Sequence, residues 1–162
     1  MAERAPSGSA ILATEALSKA FGGLRAVRDV SLNLHLHELH AVIGPNGAGK
    51  STFVNLLTGQ FRPSSGRILL EGRDITGTPA WRMPHRGIAR SFQRTNILKS
   101  LTALENVRLA AQAVSLRSGR LLAAPQHETS LITTARRALE RVGLAGGENA
   151  VAGALSHGAQ RQ

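Results

Sequence analysis

The chain has 162 residues, about the size of one domain, and its 42% apolar content with only 3% aromatics calls for a core of Leu, Val, Ile and Ala. It has no cysteine, which excludes a disulfide framework and a thiolate metal site, and no apolar run near the ~20 residues that cross a bilayer. The net charge of +10 is concentrated in residues 82–142, where 11 Arg/Lys stand against 3 Asp/Glu.

That basic stretch suits an anionic lipid surface, an acidic partner, or a solvated arginine-rich helical face. It lacks the aromatic interleaving of a nucleic-acid module, so no nucleic acid is expected. The sequence from Met1 to Ala10 has no long apolar segment, which excludes a secretory signal, and residues 1–10 are read as a disordered lead.

Ile11 to Ala20 predicts a first strand running into Phe21-Gly22-Gly23. Val30 to His37 alternates, with Val30, Leu32, Leu34 and Leu36 on one face and Ser31, Asn33, His35 and His37 on the other. This predicts a half-buried strand of an antiparallel sheet. His35 and His37 share a face that could hold a metal, but no third ligand is evident and a polar strand face accounts for them. The apolar run Leu39 to Ile43 reads as a buried strand, with His40 as a satisfied core residue.

Next comes Gly44-Pro45-Asn46-Gly47-Ala48-Gly49-Lys50-Ser51-Thr52, which fits the phosphate-binding pattern G-x-x-x-x-G-K-[ST] in full. Ser51 to Thr58 predicts the helix that must follow, with Gly59 as its stop. Glycines let successive backbone N–H groups turn onto phosphate oxygens. The helix N-terminus adds its positive dipole end. Lys50 is placed to reach the β- and γ-phosphates, and the Ser51 hydroxyl to ligate Mg²⁺.

Arg62 to Gly66 is a turn, Arg67 to Gly72 a strand, and Arg73-Asp74-Ile75 its return. Glu71 ends an apolar run close behind the loop, but a hairpin explains it better than a Mg²⁺-organising acid does. Trp81 to Gly87 is a loop or short helix, and Ile88 to Phe92 a strand with Gln93 at its end. Thr102 and Glu105 stand at capping-box spacing and start a helix to Ala113, with Leu104, Val107 and Ala111 on one face. Ser115 to Thr129 reads as irregular. Ser130 to Val142 predicts a second helix, with Leu131, Ala135, Leu139 and Val142 on one face, Arg136, Arg137 and Arg141 opposite, and Gly143 at its end. Leu155-Ser156-His157-Gly158-Ala159 lies near the C-terminus.

Phe21, the phosphate loop, Gln93 and Leu155-Ser156-His157-Gly158 follow one another in an order that closely resembles the ATP-binding subunit of ABC transporters, over nearly all of the chain. Ser91-Phe92-Gln93-Arg94-Thr95 and Leu139 to Leu144 look most like the subfamily that imports branched-chain amino acids, with urea and short amides as relatives. The resemblance implies an α/β P-loop NTPase fold of ABC type, a mixed sheet with an antiparallel β subdomain plus a helical subdomain. It implies a nucleotide-binding core over residues 11–95 and a helical subdomain over 96–162 that docks the membrane-spanning permease.

The resemblance also assigns residues. The aromatic matching Phe21 stacks on adenine. Gly44, Pro45, Asn46, Gly47, Ala48, Gly49, Lys50, Ser51 and Thr52 hold ATP and, through Ser51, Mg²⁺. Gln93 touches Mg²⁺ and the attacking water. Ser156 and Gly158 cap the γ-phosphate bound on a second ATP-binding subunit, identical or not; His157 and Ala159 depart from the usual LSGGQ. The implied location is the cytoplasmic face of the inner membrane, as a peripheral subunit. The acidic strand and switch histidine that the family uses for hydrolysis are not among these residues. The chain therefore reads as the N-terminal portion of such an ATPase, truncated before its acidic catalytic strand and inactive alone. The alternatives are a truncated, catalytically inactive ABC ATPase remnant and a non-transport ABC ATPase, although the coiled-coil insertions or tandem cassettes usual in the latter are not seen in these residues.

Overall fold

Alternating apolar residues and a two-glycine turn fold the first third of the chain into a ribbon. Strand β1 (Leu12–Phe21) turns at Gly22-Gly23, with Gly22 at φ 57, and returns as β2 (Leu24–Leu34). Strand β3 (Ser65–Leu70) pairs with the other edge of β1, and β4 (Arg73–Asp74) pairs with β3. The sheet order is β2-β1-β3-β4, antiparallel at every pair. The structure, a computed structural model, describes residues 10–92, 97–115 and 125–161.

The hairpin expected at Glu71 is there. Glu71 and Gly72 take φ 49 and 75, the two left-handed positions of the turn that matches strand twist. Helix α1 (Lys50–Leu57) buries Phe53 and Leu56 in one core with Leu17, Val27, Ile68, Ile75 and Met83. Thr14 is buried with them, and its hydroxyl donates to the Val30 carbonyl at 3.0 Å, so that oxygen is not stranded.

The chain divides into two compact units, Met1–Arg90 and Ser91–Gln162. In the second, helix α2 (Ala103–Val114) opens on the predicted capping box: the Glu105 N–H donates to Thr102 Oγ1 at 3.1 Å, and Glu105 Oε2 accepts from the Thr102 N–H at 2.8 Å. Helix α3 (Pro125–Arg141) buries Leu131, Ala135 and Leu139 and exposes Arg136, Arg137 and Arg141 as predicted, but Val142, expected on the buried face, lies past its end and is exposed. Among the described residues no helix is long and apolar enough to cross a membrane.

Five expectations are corrected. Leu39 to Ile43 is not a buried strand: it pairs with no strand among the described residues, and Leu39 and Ile43 are 96% and 88% exposed. An extended apolar run needs neighbours for its backbone groups as well as its side chains. His40 is accordingly no core residue; it is exposed, with Nε2 3.2 Å from Glu38 Oε2. Strand β2 ends at Leu34, because the Glu38 N–H donates to the His35 carbonyl at 3.2 Å and the Glu38 carboxylate accepts the His35 N–H at 2.7 Å, closing a turn with His37 at φ 66. Ile88 to Phe92 pairs with no strand among the described residues, and α3 begins at Pro125, five residues before the predicted start, where proline suits a first helical turn.

Candidate functional site

The Gly44–Thr52 segment folds as its glycines dictate. Gly47 and Gly49 take φ 86 and 83, left-handed conformations that side chains rarely adopt. Gly49 ends the loop and caps α1 without a side chain, and the first turn of α1 holds no acidic residue. The helix N-terminus therefore keeps its positive character. A Cβ on Gly49 would lie 2.1 Å from the Ala26 carbonyl oxygen, so only glycine lets the loop sit against β2.

Lys50 is the first residue of α1, half-buried, and its ammonium donates to the Gly44 and Pro45 carbonyls at 2.6 and 2.7 Å. The lysine thus bends back over the loop that precedes it. The Ala48 N–H donates to the Pro45 carbonyl at 3.3 Å, and the Phe53 N–H to the Gly49 carbonyl at 2.8 Å. Asn46, Gly47 and Ala48 are exposed, as is Ser51; Thr52 is half-buried. The exposed Ser51 hydroxyl is a hard oxygen donor at a helix N-terminus, which fits Mg²⁺ but supplies only one ligand.

Phe21 ends β1 opposite Leu24, two residues before the Ala26 that meets Gly49. Its ring is 44% exposed, packs edge-on to Phe61 at 5.4 Å, and has Lys19 Nζ 5.0 Å from its centroid. It is therefore no core residue, and one unit carries both Phe21 and the loop. Gln93 lies outside the described residues.

The other unit carries Leu155 to Ala159. Ser156, His157 and Gly158 are exposed. Ser156 Oγ accepts from the Ala159 N–H at 3.3 Å, and its carbonyl accepts from the Gln160 N–H at 2.9 Å, so the serine caps the turn Ala159–Arg161. A Cβ on Gly158 would meet nothing closer than Ser156 Oγ at 4.0 Å. The chain's own packing does not demand a glycine there.

Sequence reasoning passed over Arg90. Its Nη1 donates to Asn55 Oδ1 at 2.5 Å and to Thr58 Oγ1 at 3.1 Å, tying the segment before Gln93 to the C-terminal end of α1. The signal was a cation inside the apolar run Ile88 to Phe92. Glu38, before the loop, has its carboxyl held below the usual range, chiefly by the His35 backbone N–H.

Comparison with known proteins gives the family. The family model described as ABC transporter matches residues 27–162. The high-affinity branched-chain amino acid transport ATP-binding protein LivG of Salmonella typhimurium is 39% identical over 158 residues, 94% of this chain and 62% of its own length. BraF of Pseudomonas aeruginosa, of the same description, is 38% identical over the same shares. Among solved structures, MJ1267, an ATP-binding cassette of an ABC transporter, superposes with a TM-score of 0.78 at 33% identity, over 95% of this chain and 63% of its own. Its ADP conformation gives 0.75 at 31% identity, over 93% and 60%. The chain thus spans about three fifths of the length of these relatives, matching their N-terminal portion. A phosphate-binding loop set against an antiparallel ribbon, on a chain matched from residue 27 onward, places this protein in the ABC transporter family.

Proposed function

We propose that this chain binds ATP and is part of the ATP-hydrolysing subunit of an ABC importer, for branched-chain amino acids or related small polar solutes. The cargo assignment is supported by the descriptions of LivG and BraF. The observation that carries the reading is the junction of Gly49 and Lys50, where two left-handed glycines deliver the ammonium to the head of a helix free of acids.

In this reading the loop N–H groups and the dipole of α1 hold the phosphates. Lys50 exchanges its two carbonyl acceptors for β- and γ-phosphate oxygens, which makes stronger, charge-assisted hydrogen bonds. Ser51 holds Mg²⁺, which when bound neutralises phosphate charge. The exposed Phe21 ring offers its face to adenine. Gln93 is assigned from its motif to Mg²⁺ and the attacking water.

Residues 11–95 would then be the nucleotide-binding core and residues 96–162 the helical subdomain that meets the permease, at the cytoplasmic face of the membrane. Ser156 and Gly158 would approach the γ-phosphate held by a second ATP-binding subunit. The open space around Gly158 supports this, because it admits an outside group where its own chain needs none.

Fluorescent ATP titration tests the reading. Lys50→Ala should weaken binding by more than about tenfold, since a charge-assisted contact to phosphate is lost. Unchanged affinity would sink the loop assignment.

A further inference from the structure

The single tryptophan of this chain stands in the open. Trp81 is 66% exposed, in a segment of two consecutive short helical turns, Ala80–Arg82 and Pro84–Arg86. The Arg82 guanidinium lies over its ring, 4.5 Å from the centroid. Pro84, His85 and Arg86 are exposed as well, and the buried residue of the segment is Met83.

The segment is firmly seated. Met83 belongs to the core that holds Phe53, Leu56 and Ile68, and a Cβ on Gly59 would lie 3.0 Å from Met83 Cε. The Arg82 N–H donates to the Pro79 carbonyl at 2.9 Å, the Arg86 N–H to the Met83 carbonyl at 2.9 Å, and the Ile88 N–H to the same carbonyl at 3.1 Å. The exposure of Trp81 is thus fixed by the fold around it. Tryptophan is usually buried over most of its surface, so an anchored turn that holds one outward presents it to something.

The charge around it has one sign. From Ile75 to Leu104 the sequence carries four arginines and a lysine and no acid. Arg90 is engaged by Asn55 and Thr58, but among the described residues Arg82 and Arg86 have no ion-pair partner. The nearest acid before the segment, Asp74, accepts from the Thr76 N–H at 2.7 Å instead.

We infer that Trp81 to Arg86 is a contact surface for an anionic lipid membrane, with the indole at headgroup level and Arg82 and Arg86 on lipid phosphates. An indole has an apolar body and one N–H donor, which suits the boundary between hydrocarbon and water. Arginines beside it add attraction to negative headgroups. The stacking of Arg82 on Trp81 brings charge and apolar surface to one spot. An acidic peptide would answer the charge and leave the indole unmatched; a lipid surface meets both. The inference goes beyond the proposed function, in which the membrane is met through the permease: here the unit that carries the phosphate loop touches lipid itself.

Because Trp81 is the only tryptophan, its fluorescence reports this segment alone. The full chain is mixed with vesicles of phosphatidylcholine and phosphatidylglycerol, two to one, and with phosphatidylcholine alone. The emission should shift to the blue and the protein should sediment with the anionic vesicles only. Arg82→Gln/Arg86→Gln should weaken that binding by about thirtyfold, the product of two arginines near the surface. Arg137→Gln/Arg141→Gln removes the same charge from exposed positions of α3 and should stay within about threefold of wild type, since surface attraction fades within a Debye length. Equal weakening in the two pairs would assign binding to net charge and overturn the inference. An unshifted Trp81 emission overturns it, as does a shift caused by soluble polyglutamate and not by vesicles. Should the Arg82→Gln/Arg86→Gln pair not fold, the wild type decides: brominated phosphatidylcholine in the anionic vesicles should quench Trp81, and unquenched emission overturns the inference. ATP titration of Lys50→Ala reports separately on the phosphate loop, so the two readings fail independently.

Discussion

Two stretches of this chain, the mixed strand β1 and the more apolar run Leu39 to Ile43, have opposite fates. In β1, Leu17 is fully buried, with β2 on one side of the strand and β3 on the other. In the later run, Ile43 is almost fully exposed and no strand among the described residues pairs with it. Burial is therefore not a property of an apolar residue but of the partners that can satisfy the backbone around it. A hairpin brings its own partner through a short turn, whereas a central strand depends on segments distant in sequence.

The largest effect that would break this comparison is in the sheet core. Ile68→Ala should destabilise the 162-residue chain by about 3 kcal/mol in urea unfolding, through lost burial and the cavity left behind. Ile43→Ala should stay within about 0.5 kcal/mol. Equal losses at the two sites would show that the run before the loop is packed after all.

Next come the loop glycines, which share left-handed φ but differ in surroundings. Gly49→Ala meets the Ala26 carbonyl and should cost more than the ~1–2 kcal/mol of backbone strain alone, with loss of nucleotide affinity. Gly47→Ala has open space around it and should cost only that strain. A thermal melt of each variant checks the order, and the reverse order would dissolve the proposed contact between loop and ribbon.

Smaller effects separate the helical unit from the sheet. Thr102→Ala removes the cap of α2 and should cost about 1 kcal/mol, read by urea unfolding followed at 222 nm. The Glu105 carboxyl is held below its ordinary range, first by the Thr102 backbone N–H and then by the Thr102 hydroxyl. A depressed carboxyl contributes stability that is full above the unfolded pKa and is lost as the pH falls through the folded one. Acid should therefore loosen the start of α2, and Glu105→Gln should remove that acid step; an identical pH profile in the variant would show the box is not its source.

Much of this was legible because the signals are local. The capping box needs only Thr102 and Glu105 three residues apart, and it forms as read. The Glu71-Gly72 turn needs two residues that tolerate left-handed φ between short strands. Likewise the helix after the loop follows from the motif and a glycine stop. The misreadings were non-local. Ile88 to Phe92 looks like a strand by composition, yet Arg90 within it is drawn to Asn55 and Thr58 on α1. His35 and His37 look like one strand face, yet the Glu38 carboxylate closes a turn across them. The roles of Gln93, Ser156 and Gly158 come from the motif order and are proposals for that reason.

The order of residues by itself determined that a phosphate loop would form, which helix would carry it, and that Lys50 would stand at the helix head. Glycine placement and helix-start chemistry act over a few residues, so they can be read without the fold. Only the tertiary structure decided what surrounds the loop. The Ala26 carbonyl packs against Gly49, and two bulges interrupt the register of β2 on either side of Val27. Strand register makes those choices, and register depends on how β1 and β2 pair along their whole length, where one extra residue redirects every side chain beyond it.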